Sequence, residues 1–420
     1  MGVIGSLTRT EGGTGAEALP GAVRRLAEAW RQRGGAPLRI VLPDQSHLDL
    51  GDATRVTLRI RDRTLLAELA APTFDSLGQA YIEGRLEIEG DLLEALPIGA
   101  RMVEAGGTSV AQRAMQGWRR HRRGEDRSAI GHHYDVGNEF YRLWLDERMV
   151  YSCAYYRTGQ ESIDQAQLAK LEHICRKLRL AAGERLLDVG CGWGSLVLHA
   201  ARHYGVRAVG ITLSENQAQF ARERVAEAGL AGQVEILLMD YRDLAAHFGA
   251  NAFDKVASIG MFEHVGLRNL PDYFGALAAV LRDRGLLLNH GITASDVESR
   301  PVGGGVGEFI EQHVFPRGEL PHLHLATREV AAAGFEIADV ESLRPHYAQT
   351  LAQWYRRLES RNSEALQVVP ARTLRTWRIY LAGCSYAFQQ GWVNVYQILA
   401  SVSRAPGPTG LPLTRDWMYA

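Results

Sequence analysis

Lysine is nearly missing from this chain of 420 residues: among 47 cationic side chains only Lys170, Lys177 and Lys255 are lysines, and the rest are arginines. So lopsided a ratio reads as a compositional bias and not as a mechanism. Cysteine is sparse too. Cys153, Cys175, Cys191 and Cys384 form neither a disulfide framework nor a zinc-binding spacing, which points to a reducing compartment, the cytoplasm. No apolar run approaches the ~20 residues that span a bilayer, and Met1 to Gly15 lacks the charged-then-apolar order of a secretory signal. Neither sign of charge dominates: Lys+Arg 47 against Asp+Glu 48 leaves a net charge of -1. Nucleic acid is therefore not expected as a partner through bulk charge.

What remains is ordinary globular material, 46% hydrophobic and 23% charged, long enough for two domains. Residues 1–20, rich in Gly and Thr, are expected to be disordered. Residues 21–105 read as a small α+β domain. A helix is expected over Ala22 to Arg31, strands near 39–42, 56–60 and 86–90 in an antiparallel sheet, and a helix over 91–105. An Arg-rich joint at 106–130 follows. Between Arg113 and Arg127 it carries six Arg against Glu125 and Asp126, a net of +4, with Trp118 inside. This is either a solvated linker or a patch for an anionic membrane surface.

From about residue 131 to 420 strands alternate with helices. Expected strands are Leu186 to Val189, Ala208 to Ile211, Val234 to Met239, Lys255 to Ile259, Leu286 to His290 and Glu336 to Val340. Helices fall between them, over Glu161 to Leu178, Ser195 to Tyr204, Glu215 to Ala228 and Leu270 to Leu281. Such alternation implies a doubly wound parallel sheet. Thr293 to Leu325 breaks the rhythm as an insertion, and residues 350–400 read as largely helical.

Leu186-Leu187-Asp188-Val189-Gly190-Cys191-Gly192-Trp193-Gly194 ends a strand and opens a helix. Its glycines permit a sharp turn and close approach to a ligand. The G-x-G-x-G spacing departs from the pyrophosphate-cradling pattern, and Asp188 precedes it on the strand. Both features suit a cationic, phosphate-free nucleoside, and the loop resembles the S-adenosylmethionine loop of class I methyltransferases. No acid ends the second strand. Thr212, Ser214 and Gln217 offer the hydrogen bonds that would hold a ribose, and Asp240 and Tyr241 suit an adenine.

Several blocks then converge: His132-His133-Tyr134-Asp135-Val136-Gly137-Asn138, Tyr151-Ser152-Cys153-Ala154-Tyr155, the glycine loop, and Met261-Phe262-Glu263-His264-Val265-Gly266. Together they resemble the cyclopropane fatty acid synthase family, which includes the mycolic acid cyclopropane synthases, over residues ~130–400. The resemblance implies a class I, Rossmann-like methyltransferase sheet with a helical acyl-site insertion. It implies methyl transfer from S-adenosylmethionine to a cis double bond of a phospholipid acyl chain, with ring closure on loss of a proton. It also implies bicarbonate as the base, held by Cys153, Glu263, His290, Ile292 and Tyr347, and places Tyr134 and Ser152 near the cofactor. Work on unsaturated phospholipid at the inner face of the membrane follows, as a peripheral enzyme; a homodimer is compatible with the family.

Departures from the family pattern are Glu147, Asn289, Gly291, Gly303-Gly304-Gly305 and His313. They leave the product open between a cyclopropane ring and a methylene branch, the latter requiring a reductase partner for a 10-methyl product. Glu147 or Glu308 replacing bicarbonate stays an alternative. So do a small-molecule methyltransferase and a non-catalytic lipid-binding protein, although the intact loop and the reactive set weigh against the latter.

Overall fold

The computed structural model describes residues 36–69, 71–105, 136–315 and 318–419, together with Glu28 and Trp30. The expected disorder at 1–20, the helix at 22–31 apart from Glu28 and Trp30, the Arg-rich stretch with Trp118 and residues 132–135 of the block containing Tyr134 lie outside these residues. The chain forms two compact units. One takes residues up to 115 with 301–316 and 358–387; the other takes 116–300, 317–357 and 388–420.

The first unit holds strands β1 (Leu38–Val41), β2 (His47–Leu50), β3 (Val56–Ile60) and β4 (Leu86–Glu89), in the order β2-β1-β3-β4. In β3, buried Val56, Leu58 and Ile60 alternate with half-exposed Thr57 and Arg59, the period-2 pattern of a one-sided sheet. Helix α1 (Phe74–Ile82) starts at a capping box in which Thr73 and Ser76 satisfy each other's backbone N–H groups, and helix α2 (Leu92–Ala105) follows. The sheet is mixed, not antiparallel as expected: β1 runs parallel to β3. The unforeseen strand β2 folds back on the outer edge of β1, so the chain must return past β1 and re-enters the sheet in the same direction.

The second unit is a seven-stranded sheet of order β10-β11-β9-β8-β5-β6-β7. Its strands are β5 (Arg185–Val189), β6 (Arg207–Thr212), β7 (Val234–Leu238), β8 (Phe253–Ile259), β9 (Leu281–Ala294), β10 (Phe335–Ser342) and β11 (Val393–Val402). Strands β5 to β9 pair in parallel, and β11 runs antiparallel to both β9 and β10. The flanking helices are α3 (Ile163–Lys177), α4 (Ser195–Tyr204), α5 (Glu215–Glu227), α6 (Leu270–Val280) and α7 (Leu323–Ala332). Helices α8 (Arg344–Ser360) and α9 (Asp416–Tyr419) come later in the chain. Both faces of the sheet are covered. Leu187 and Val189 pack with Tyr273 and Leu277 of α6, whereas Leu186 packs with Ile174 and Cys175 of α3 and Val197 of α4. This is the α/β doubly wound architecture expected from the alternation.

Residues 350–400 are largely helical as expected, but only as far as Gln390: after the helix Ala371–Gln390 the chain forms β11. A short apolar run carries no periodicity that separates buried strand from buried helix. Here the deciding partners, β9 and β10, are remote in sequence.

Two details of this unit set its tolerance to substitution. A Cβ added at Gly291 of β9 would overlap the Cε1 and Cδ1 edge of the buried Phe262 ring. Gly291→Ala is therefore expected to destabilise by about 3 kcal/mol, at the upper end for overpacking, read as a lowered urea midpoint. Lys177, fully buried, pairs with Glu341 at 2.6 Å and Asp339 at 3.3 Å. His173 adds a 2.8 Å contact to Glu341, and Arg415 holds Asp339 at 2.6 Å.

Candidate functional site

The strand order reverses between β5 and β8, the place where open α/β sheets bind ligands beyond their carboxyl ends. A cleft opens there, lined on one side by the glycine loop and on the other by Gly260 and Met261. Gly190, Gly192 and Gly194 all have left-handed φ angles, +82°, +53° and +82°, a conformation that side-chain-bearing residues rarely adopt. The N–H groups of Gly190 and Cys191 both donate to the Ile211 carbonyl at 2.9 Å. From α5, the Arg224 guanidinium donates to the carbonyls of Trp193 (2.8 Å) and Arg148 (3.0 Å). The loop is thus fixed from both sides.

Of the residues expected to hold a nucleoside cofactor, Ser152, Asp188, Gly190, Gly192, Thr212, Gln217 and Tyr241 line the cleft. Burial pushes the Asp188 carboxyl up to about 7, against the opposing charge of Lys170. Thr212 Oγ1 donates to Gln217 Oε1 at 2.9 Å. Two others are engaged locally. Ser214 caps α5 by accepting the N–H of Gln217, and Asp240 is clamped by Arg242 through Nε at 2.8 Å and Nη2 at 2.9 Å. Tyr134 lies outside the described residues. Sequence reasoning passes over Lys170, which also lines the cleft. The available signal is a lysine, in a chain with three, on the core-facing stripe of its helix.

The expected reactive residues fall into two groups, Glu263 with Ile292 and His290, and Cys153 with Tyr347. Glu263 sits in the turn after β8, buried, and its Oε1 accepts the N–H of Ile292 at 2.6 Å. Its Oε2 is buried without a partner. Burial pushes this carboxyl up to about 7, against the Ile292 hydrogen bond. On β9, buried His290 meets Gln397 Nε2 through Nδ1 at 3.3 Å, and its Nε2 has no partner. Burial holds the ring well below the usual imidazole range, hence neutral. His290 and Ile292, two residues apart, share one face of the strand.

The second group gathers at one carbonyl. Cys153 Sγ donates to Ala154 O at 3.3 Å and Leu343 O at 3.7 Å, and the Tyr347 N–H donates to that same Leu343 O at 3.0 Å. Burial drives the Cys153 thiol far above its usual range, so it stays protonated. The Tyr347 ring lies against Phe388, centroids 4.7 Å apart. Glu147 and Glu308 are both exposed, and Glu147 is ion-paired to Arg148, so neither belongs to this buried set. Among the described residues no group of three His, Cys, Asp or Glu could hold a metal ion, and no helix is long and apolar enough to cross a membrane.

Comparison with known proteins adds the following. The family model described as mycolic acid cyclopropane synthetase matches residues 121–398. A probable fatty acid methyltransferase of Pseudomonas putida is 49% identical over 383 residues, 91% of this chain and 96% of that protein. The cyclopropane-fatty-acyl-phospholipid synthase of Escherichia coli is 37% identical over 272 residues, 64% of this chain and 66% of that protein. Among solved structures, the mycolic acid cyclopropane synthase CmaA1 complexed with SAH and CTAB superposes with a TM-score of 0.61 at 32% identity. It covers 66% of this chain and 98% of that one.

Proposed function

Because the chain belongs to the mycolic acid cyclopropane synthetase family and is an S-adenosylmethionine-dependent methyltransferase, we propose that it methylates the cis double bond of a phospholipid acyl chain and closes a cyclopropane ring there, as a peripheral enzyme at the membrane surface. The observation that carries this reading is the pair of buried, partnerless atoms, Glu263 Oε2 and His290 Nε2. Glu263 follows Gly260 and Met261 of the cofactor cleft closely in the chain. Most buried polar atoms are paired, so atoms of this kind call for a ligand, an ion or a water to meet them.

The cleft fits the cofactor chemically: left-handed Gly190 and Gly192 in its lining let the backbone approach, and buried Asp188 suits a cationic ligand. When bound, S-adenosylmethionine supplies an electrophilic methyl group. An alkene is a weak nucleophile, so the chain's part is to align the reactants and keep water out. Tyr151 and Trp193 of the cleft wall serve the second purpose. Each packs on Tyr141, at 5.6 and 5.0 Å, and Tyr151 also packs on Trp354 at 5.3 Å.

Methyl addition leaves a positive charge on the acyl chain, and ring closure requires that a proton depart. Neutral His290 and Tyr347 are donors that can hold a small oxyanion, the Cys153 thiol joins them by turning its one proton away from the Ala154 and Leu343 carbonyls, and Glu263 Oε2 offers an acceptor for its hydroxyl. Bicarbonate fits that donor set and would supply both the base and a negative charge beside the cation.

One observation favours a second reading, a methylene-branched product: the relative at 49% identity carries the name of a fatty acid methyltransferase, not of a cyclopropane synthase. Incubation with methyl-labelled S-adenosylmethionine and oleoyl phospholipid vesicles, followed by mass analysis of the released fatty acids, separates the two. A labelled cyclopropane ring is the expected outcome, an exocyclic methylene establishes the second reading, and absence of label from lipid removes both.

A further inference from the structure

All three lysines of this arginine-rich chain are buried, Lys170 at 2% exposure. Lys170 is also the one Lys or Arg among the described residues lining the cofactor cleft. Its ammonium donates to Ser152 Oγ at 2.8 Å. One turn earlier on α3, Gln167 Nε2 donates to the carbonyl of the same serine at 2.9 Å. Helix α3 therefore fixes both the backbone and the hydroxyl of Ser152, which lines the cleft. Burial lowers the Lys170 amine to about 8, against the opposing pull of Asp146 and Asp188, so it remains a cation at neutral pH.

A serine hydroxyl has one proton and two lone pairs. With an ammonium occupying a lone pair, the proton of Ser152 is left to be donated elsewhere, and the cleft is what that side chain faces. We infer that Lys170 is a positioning residue for cofactor binding: it makes Ser152 an obligate donor to the carboxylate of the cofactor's amino-acid portion and adds a fixed positive charge behind that bond. Asp188, also at the cleft wall, is left to face the ammonium group of the same portion. The two ends of a zwitterion are thereby told apart by one buried cation and one buried acid. The inference rests on the cofactor assignment and not on the lipid product.

The test compares S-adenosylmethionine with its decarboxylated counterpart, which keeps the sulfonium and the amine, by calorimetry without lipid. For K170M and for S152A, affinity for S-adenosylmethionine is expected to fall about 10- to 100-fold, the range for losing a hydrogen bond to a charged group. Affinity for the decarboxylated compound should change less than about threefold on the same scale. In the double variant the losses should not add, since both act through one bond. Equal losses for the two compounds, or none for S-adenosylmethionine, overturn the proposal. So does discrimination by S152A with indiscriminate loss in K170M. Should K170M not fold, K170Q, which also removes the charge, takes its place beside S152A.

Discussion

Replacing Glu263 by Gln is expected to lower turnover about 10²- to 10⁴-fold, the range for a group that governs proton transfer, while cofactor affinity stays as in the wild type. Glutamine can still accept the Ile292 N–H through one oxygen. It then presents an amide donor where Glu263 Oε2 presented an acceptor, which the proposed oxyanion's hydroxyl could not use. Single-turnover rates with labelled cofactor, alongside calorimetric cofactor binding, check both halves; wild-type turnover in the variant would remove Glu263 from the chemistry. The pH linkage of this group gives a separate expectation for stability. The Glu263 carboxyl is raised from 4.5 to about 7 by burial, so the folded state binds this proton more tightly than the unfolded one. Stability from this group thus falls as pH rises from about 4.5 to about 7. Glutamine, neutral throughout, lacks that loss, and the variant should be at least as stable as the wild type at pH 8.

The largest effect on stability is expected at Lys177. Lys177→Met should destabilise by about 3–5 kcal/mol, because it strands buried carboxylates whose cation has gone. Asp339 retains Arg415 and Glu341 retains His173, which favours the lower end of that range. Urea unfolding followed by tryptophan fluorescence gives the number. A loss under about 1 kcal/mol would mean that the retained partners suffice. The wild type carries an acid signature of the same network. Burial raises the Glu341 carboxyl, but the His173 hydrogen bond and the Lys177 charge outweigh it and pull it to about 2. A depressed carboxylate contributes stability that is present above its unfolded value near 4.5 and is lost as pH falls towards about 2. In K177M this loss should be smaller.

Features written in adjacent residues are legible in the amino-acid sequence. The glycine loop follows a buried apolar strand directly, so both its turn and its place at a sheet edge can be read there, and Ser195 to Tyr204 is helical from end to end as expected. Features that depend on remote partners are not legible in this way. The Glu263–Ile292 hydrogen bond joins residues from two strand ends, and nothing local marks Ile292 beyond the family resemblance. Lys170 hides on a helix whose stripe of apolar residues draws attention away from a buried cation. Ser214 and Asp240 show a second use of residues expected at the cofactor. Short polar side chains beside a helix or turn start tend to bond their own backbone, and both do so here.

Strand β11 lies between β9 and β10 in space but is synthesised after both. While the ribosome is still adding the intervening helices, β9 offers an open edge carrying His290, Asn289 and Thr293, and β10 has no strand to pair with. Open edges are templates for pairing with other chains, and long-range pairings of this kind form slowly. The nascent polypeptide is therefore most exposed to aggregation in the interval before Val393 emerges. Closure of that gap, which also brings Gln397 against His290, completes the sheet and the reactive histidine's surroundings in one late event.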